Sequence, residues 1–357
     1  MPTKRRVVQL LRVILPTAGL ICLVVFPPWD GIWAWMKPLP DTVQEQVEDA
    51  IAHGLDGIVV YVDEAGKPPA FYTAGWKNRE TRVPADPQSL FKIASIDKLY
   101  IAVATAKLVN DGRLSLDDTV AEHFPDLVGR IENAETITLD LMVQHRSGIP
   151  DWADHPGFPW GDPPQSRDGL LAYALESPTT FGPGEAYGYS NTNYLLLAEL
   201  IGKVLGYSHL QYIEEEILTP LELNNTFGSL RDVNSDDVMS GYHVGYEPDL
   251  KPVYFGSMIA TAEDVGVFLR ALNDGVLLRE DERAVYMYVY EHTGLLPGYY
   301  SIARYHEGID TVVVQFVNTS GGTPLAPLAD VGGGTKVMVS NVVYDRIVRI
   351  LRRQQRL

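Results

Sequence analysis

Apolar residues recur every three or four positions over 43–53, 96–109, 138–145, 167–175, 191–205, 209–218, 261–272 and 337–353, and each stretch is predicted as a helix. Asn110-Asp111-Gly112 closes the second of them, and arginines fill the last turn of the final one, where they complement the helix dipole. A β-rich pattern takes over at 57–62 and 70–76, read as an antiparallel pair, and again at 284–290, 299–306 and 311–318. Loops are expected at the polar stretch 77–88 and the Trp/Pro-rich stretch 150–165. Strands near both ends with helices between them predict an α/β (α+β) fold, an antiparallel sheet built from distant segments and flanked by helices. Residues 41–115 and 273–357 would form the sheet part and 116–272 an inserted, mainly helical subdomain. A crevice between the two is the natural place for a site.

The first 40 residues have a different character. Lys4, Arg5 and Arg6 precede an apolar run over 13–26, which extends back to Val7 if Gln9 and Arg12 are tolerated. The extended run reaches the ~20 residues of a spanning helix, and Trp29, Trp33 and Trp35 follow as interfacial aromatics would. The expectation is a membrane anchor with the remainder outside the cytoplasm, periplasmic or extracellular. A cleaved signal peptide, giving a secreted protein, is the alternative, although prolines and tryptophans stand where small cleavage-site residues belong. Lipid attachment at Cys22 would need a small residue before it, and Ile21 is bulky.

Composition narrows the classes. The chain has 357 residues, 46% of them hydrophobic, enough to bury a large core. A formal charge of −17 argues against nucleic acid, which needs a basic face. Cys22 is the single cysteine, so no intramolecular disulfide can form, and the eight histidines show no metal-binding spacing. No metal and no cofactor are expected.

Candidate chemistry sits in three islands. Ser-x-x-Lys occurs as Ser89…Lys92 and as Ser95…Lys98. Only Ser95 stands at a helix start, with Lys98 one turn along the same face, the geometry that activates a hydroxyl. Tyr189-Ser190-Asn191 lies where a loop meets a helix; its tyrosine could shuttle a proton and its asparagine bond a substrate amide. His292-Thr293-Gly294 lies beside a predicted strand, where glycine allows another backbone to approach. Each island alone has an ordinary structural reading as a cap, a packed ring or a turn.

Together and in this order they resemble the class C β-lactamase and serine D-alanyl-D-alanine carboxypeptidase superfamily, of the His-Thr-Gly type, over about 43–348. Supporting stretches are 91–98, 144–150 and Gly256-Ser257-Met258. The resemblance implies that Ser95 forms an acyl-enzyme, that Lys98 and Tyr189 share its proton transfers, and that Asn191 holds the acyl-side amide. His292, Thr293 and Gly294 would form the substrate-binding edge, and the N–H groups of Ser95 and Leu295 the oxyanion hole. His145 is read as structural. The implied activity is that of an extracytoplasmic serine hydrolase, carboxypeptidase-like or esterase-like, on a small-molecule or peptide substrate such as a cell-wall stem peptide. Where most β-lactamases have lysine this chain has His292, mostly neutral at pH 7, which argues against an efficient β-lactamase. The stretch between Leu272 and His292 is also short for the family. A catalytically silent sensor or scaffold is the non-enzymatic alternative, and it would be expected to have lost Ser95, Lys98 or Tyr189.

Overall fold

The computed structural model describes residues 12, 14–17, 29–175, 177–322 and 334–356. The expected anchor lies mostly outside them, and among the described residues no helix is long and apolar enough to cross a membrane.

Valine and isoleucine alternate between two buried environments along β1 (Gly57–Glu64), which is why this strand is central. Ile58, Val60 and Val62 face one cluster, while Val59 and Tyr61 face another. On either side lie β2 (Ala70–Asn78), then β3 (Val83–Pro84), and β10 (Thr311–Val317), then β9 (Tyr299–His306) and β8 (His292–Leu296), giving the order β3-β2-β1-β10-β9-β8. Every pairing in this sheet is antiparallel. At ~1.5–3 kcal/mol for each fully buried Val or Ile side chain, the two faces supply most of the drive to fold.

One face is covered by α2 (Val43–Ala52) and α10 (Thr335–Gln354) through Val43, Val47, Val343 and Ile347. Arg346 ties these helices together, its Nε donating to Gln46 Oε1 at 2.5 Å while its other nitrogens reach the carbonyls of Lys37 and Pro38. A helix, α1 (Trp29–Met36), occupies part of the expected linker and packs against α10. It leaves Trp29, Trp33 and Trp35 exposed.

On the other face lie α8 (Ala262–Asp274) and the helical block: α3 (Asp97–Asn110), α4 (Leu139–Val143), α5 (Arg167–Leu175), α6 (Asn191–Leu205) and α7 (His209–Ile213). The helix α8 packs directly on β1, β9 and β10, although its sequence position groups it with the inserted block. Gly266 makes this possible, because a Cβ there would stand 2.2 Å from the Tyr61 ring. Short strands β4 (Phe91–Lys92), β5 (Thr226–Phe227) and β7 (Ile259–Ala260) form a separate ribbon, and β6 (Tyr242–His243) pairs with β11 (Thr319–Ser320).

The strand expected at 284–290 does not form. A short helix, α9 (Glu280–Ala284), ends there, and the following residues are irregular up to β8. The alternating Val285-Tyr286-Met287-Tyr288-Val289-Tyr290 has the period of a strand but is held by its rings. Tyr286 packs on Tyr290, and Tyr288 on His145, Tyr194 and His292.

Candidate active site

The chain bends sharply to present Ser95. Ala94 takes the left-handed backbone conformation (φ 51°), which costs an L-residue ~1–2 kcal/mol. The bend is pinned on three sides: Ala94 N donates to Ser257 Oγ at 2.8 Å, Ile93 N donates to Met258 O, and Ser301 Oγ donates to Ile93 O at 3.0 Å. Ser95 then lies in a 3₁₀ turn that leads into α3, where Lys98 comes one turn later.

Two side chains converge on the hydroxyl. Lys98 Nζ lies 3.1 Å from Ser95 Oγ, and Tyr189 OH, from the loop before α6, lies 2.8 Å from it. Lys98 is 6% exposed. Burial presses its pKa down, and the nearby Tyr189 phenol and Asp97 carboxylate outweigh burial, so the ammonium is held above the ordinary lysine value.

Asn191 donates through Nδ2 to Asp151 Oδ2 at 2.8 Å. An ionised carboxylate only accepts, so the amide is fixed with this edge toward Asp151. Asn191 lines a cavity of about 280 Å³ together with Ser95, Lys98 and Leu295. His292 and Thr293 lie on the other side of Tyr189 and line a second, more open cleft with it. Gly294 meets the bend itself, since a Cβ there would stand 2.2 Å from Ile93 O and 3.0 Å from Ala94 Cβ. Lys98 and Tyr189 thus meet at the Ser95 hydroxyl, and the third island packs through Gly294 on the bend that presents it. The pair Ser89…Lys92 does not take part: Lys92 Nζ donates to the carbonyls of Leu250, Lys251 and Val253 at 2.7–2.9 Å and braces that loop.

The histidine of the third island belongs to a buried chain. Ser190 N donates to His145 Nδ1, which leaves Nε2–H to face Tyr288 OH at 3.3 Å. His292 Nδ1 faces the Thr293 carbonyl at 2.5 Å, so its Nε2 accepts from Tyr288 OH at 2.7 Å. A backbone donor at one end and a backbone acceptor at the other thus fix both tautomers. Burial first, then the Lys98 charge, hold both imidazoles neutral, His145 down to about 3 and His292 to about 4. The His145 ring lies tilted against the Tyr189 ring at 33°, and its ring nitrogens bond to Ser190 N and Tyr288 OH, in keeping with a structural part.

Comparison with known proteins places this geometry. The Beta-lactamase family model matches residues 39–287, more than half of the chain. The chain belongs to the beta-lactamase family. The match ends before His292, so the third island rests on the geometry of β8 alone. Among proteins similar to this family member, flp of Staphylococcus aureus (strain MW2) is 29% identical over 212 residues, 58% of this chain and 42% of flp. PbpX of Bacillus subtilis (strain 168) is 26% identical over 276 residues, 70% of this chain and 68% of PbpX. The match thus spans under half the length of flp. Two solved structures share the fold. D-amino acid amidase from Ochrobactrum anthropi, in complex with D-phenylalanine, has a TM-score of 0.76 at 20% identity, covering 87% of this chain and 98% of the amidase. A penicillin-binding protein from Bacillus halodurans has a TM-score of 0.70 at 21% identity, covering 87% of this chain and 99% of that one.

Sequence reasoning missed five side chains of the site. Asp97 lies inside the Ser-x-x-Lys island and was legible as a carboxylate next to the lysine. Asp151 follows the 144–150 stretch, and its link to Asn191 had no local signal. Tyr288 was absorbed into a predicted strand, and Trp152 and Trp160, which line the 280 Å³ cavity, into a loop.

Proposed function

We propose that this chain is a serine hydrolase that works by acyl transfer at Ser95, D-Ala-D-Ala carboxypeptidase-like or esterase-like. The observation that carries the reading is the pair of hydrogen bonds on one hydroxyl, from Lys98 at 3.1 Å and Tyr189 at 2.8 Å. An amidase and a penicillin-binding protein on the same fold support acyl chemistry.

In this reading Ser95 Oγ bonds to the substrate carbonyl carbon while its proton passes to the Tyr189 oxygen, which takes part as a phenolate beside the Lys98 ammonium and holds the proton for the leaving group. Negative charge on the carbonyl oxygen is met by the N–H groups of Ser95 and Leu295, a type of contact worth several kcal/mol of barrier. The C–N or C–O bond to the leaving group breaks, and the leaving group takes the proton. Water then attacks the ester carbon, its proton returns to Ser95 Oγ, and the acid departs. The retained ammonium of Lys98 lowers the cost of negative charge on either neighbouring oxygen. A neutral His292 offers no permanent cation on the β8 edge, which supports a peptidase or esterase over an efficient β-lactamase.

Intact mass after incubation with a fluorophosphonate, p-nitrophenyl esters, D-Ala-D-Ala peptides and penicillins tests this. One adduct per chain, absent in Ser95→Ala, is expected, with turnover of an ester or peptide. Equal labelling of the variant removes Ser95 as nucleophile. Labelling without turnover of any substrate favours the silent sensor.

The same proposal places the domain outside the cytoplasm, held by the N-terminal segment, with exposed Trp29, Trp33 and Trp35 at the interface. The full chain is then expected in carbonate-washed membranes and open to protease added outside spheroplasts. Recovery in the soluble cytoplasmic fraction removes the anchor.

A further inference from the structure

Three consecutive residues, Tyr254, Phe255 and Gly256, line the 280 Å³ cavity that holds Ser95. They belong to no helix or strand, and the short strand β4 with the bend after it holds the span at both ends. At its far end Ser257 Oγ accepts from Ala94 N at 2.8 Å and Met258 O accepts from Ile93 N at 3.1 Å. At its near end Lys92 Nζ donates to the carbonyls of Leu250, Lys251 and Val253 at 2.9, 2.8 and 2.7 Å. Three carbonyls on one nitrogen use every N–H of an ammonium. The outer side is held more lightly, by Gln165 Nε2 donating to Tyr254 O at 3.2 Å and by Arg231 lying over the Tyr254 ring.

The Lys92 ammonium also lies 4.9 Å from the centre of the Phe255 ring, within reach of a cation–π contact. It therefore seats both the backbone before Phe255 and the ring itself. Lys92 is 1% exposed, so it does not reach a bound substrate. A buried ammonium is costly, and an apolar side chain would fill the same space at no such cost. What the cation adds is a grip on an irregular segment whose carbonyls need donors. Lys92 stands three residues before Ser95, so the grip fixes the cavity wall in the frame of the attacking oxygen. Asn191, expected to hold the acyl-side amide, lines the same cavity, which makes it the seat of the acyl group.

We propose that Phe255 is a specificity-determining residue that reads the size of the acyl group passed to Ser95, and that Lys92 is the positioning residue that holds it in place. This rests on acyl transfer at Ser95 and adds the part of the site that measures the substrate. An acetyl group is too short to use the wall. A longer acyl chain packs on Phe255 and gains from its burial.

The test compares p-nitrophenyl acetate with p-nitrophenyl butyrate, which share a leaving group and differ by two methylenes. Assays run at pH 6.5, below the value of about 7 to which burial draws Lys92. The wild-type chain is expected to favour the butyrate by about 15-fold in kcat/KM, the ratio that two buried methylenes give. Phe255→Ala and Lys92→Met should each bring that ratio to within about three-fold. A lysine that merely supports the fold, or acts through β4 on the nucleophile, predicts equal losses on both esters and an unchanged ratio, which overturns the proposal. So does a Phe255→Ala chain that keeps the ratio, or a wild-type chain indifferent to acyl length. Should Lys92→Met not fold, Lys92→Gln, whose amide keeps two N–H donors, takes its place under the same criterion. If Ser95 takes no fluorophosphonate label and neither ester turns over, the hydrolase reading itself fails and this one with it.

Discussion

Replacing Gly294 by alanine tests whether the close fit of β8 against the nucleophile bend matters to catalysis. The added methyl carbon would stand 2.2 Å from Ile93 O, 2.3 Å from Ser301 Oγ and 3.0 Å from Ala94 Cβ. Two of these are backbone or Cβ atoms, and Ser301 Oγ is committed to Ile93 O, so none can swing aside as a long side chain would. Restoring ordinary van der Waals separation requires β8 and the bend to part by about 1 Å. Overpacking of this kind costs ~1–3 kcal/mol of stability, which a domain of this size tolerates. The catalytic cost is larger in proportion. A displacement of ~1 Å between a nucleophile and the groups that complete its site lowers rate by about 10²-fold. The assay is kcat/KM on p-nitrophenyl butyrate beside urea unfolding and circular dichroism of the same preparation. The expected result is a folded protein with its urea midpoint slightly lowered and its esterase rate down about a hundred-fold. A folded Gly294→Ala chain with activity within three-fold of wild type would refute the placement of β8 at the reacting centre.

Lys98→Met and Tyr189→Phe are each expected to slow acylation of Ser95 by about 10²–10⁴-fold, read from stopped-flow ester hydrolysis; a change below ten-fold in either removes that residue from proton transfer. His145 and His292 are neutral when folded and titrate near 6.5 when unfolded, so the unfolded chain gains protons first as pH falls. Stability is therefore lost below pH 6.5, by ~1.4 kcal/mol per histidine at pH 5.5. His292→Asn should weaken the pH 8-to-5.5 drop in urea stability by about that amount, and an unaltered drop contradicts the buried neutral chain. Tyr288→Phe removes the hydroxyl that bridges the two imidazoles and should cost about 1–3 kcal/mol at pH 8, with no loss expected if the bridge is idle. Lys92→Met leaves the Lys251 and Val253 carbonyls without a donor, while Leu250 O keeps Val253 N, and should destabilise the chain by about 2 kcal/mol in urea, where a loss under ~0.5 would mean the Leu250–Val253 brace is dispensable.

Period and punctuation made most elements legible. Residues 167–175, 191–205 and 299–306 form the elements expected of them to the residue; the two helices bury one face each, and the strand is a run of residues buried on both faces. The sheet order was not legible, since pairing of β1 with β10 depends on contacts between segments far apart in the chain. The error at 284–290 shows where periodicity fails: alternate tyrosines satisfy a strand pattern while their rings pack on His145, Tyr194 and His292. The short strands β4 to β7 went unseen because two-residue bridges have no period at all. Ser95, Lys98 and Tyr189 were legible through the order of three islands. Asp151 was not, because an asparagine's partner 40 positions away leaves no local trace.

The pairing of β1 with β10 has a consequence for how the chain acquires its shape. Asp56 and Thr319, joined by a hydrogen bond, are separated by 263 positions. A nascent polypeptide emerging from the ribosome has no partner for that edge of β1 until nearly all of it has been made, and such high contact order slows folding. Premature termination before β10 would leave β1 and β9 with unpaired edges, which invite self-association. Shortened products are therefore expected as aggregates rather than as smaller working enzymes.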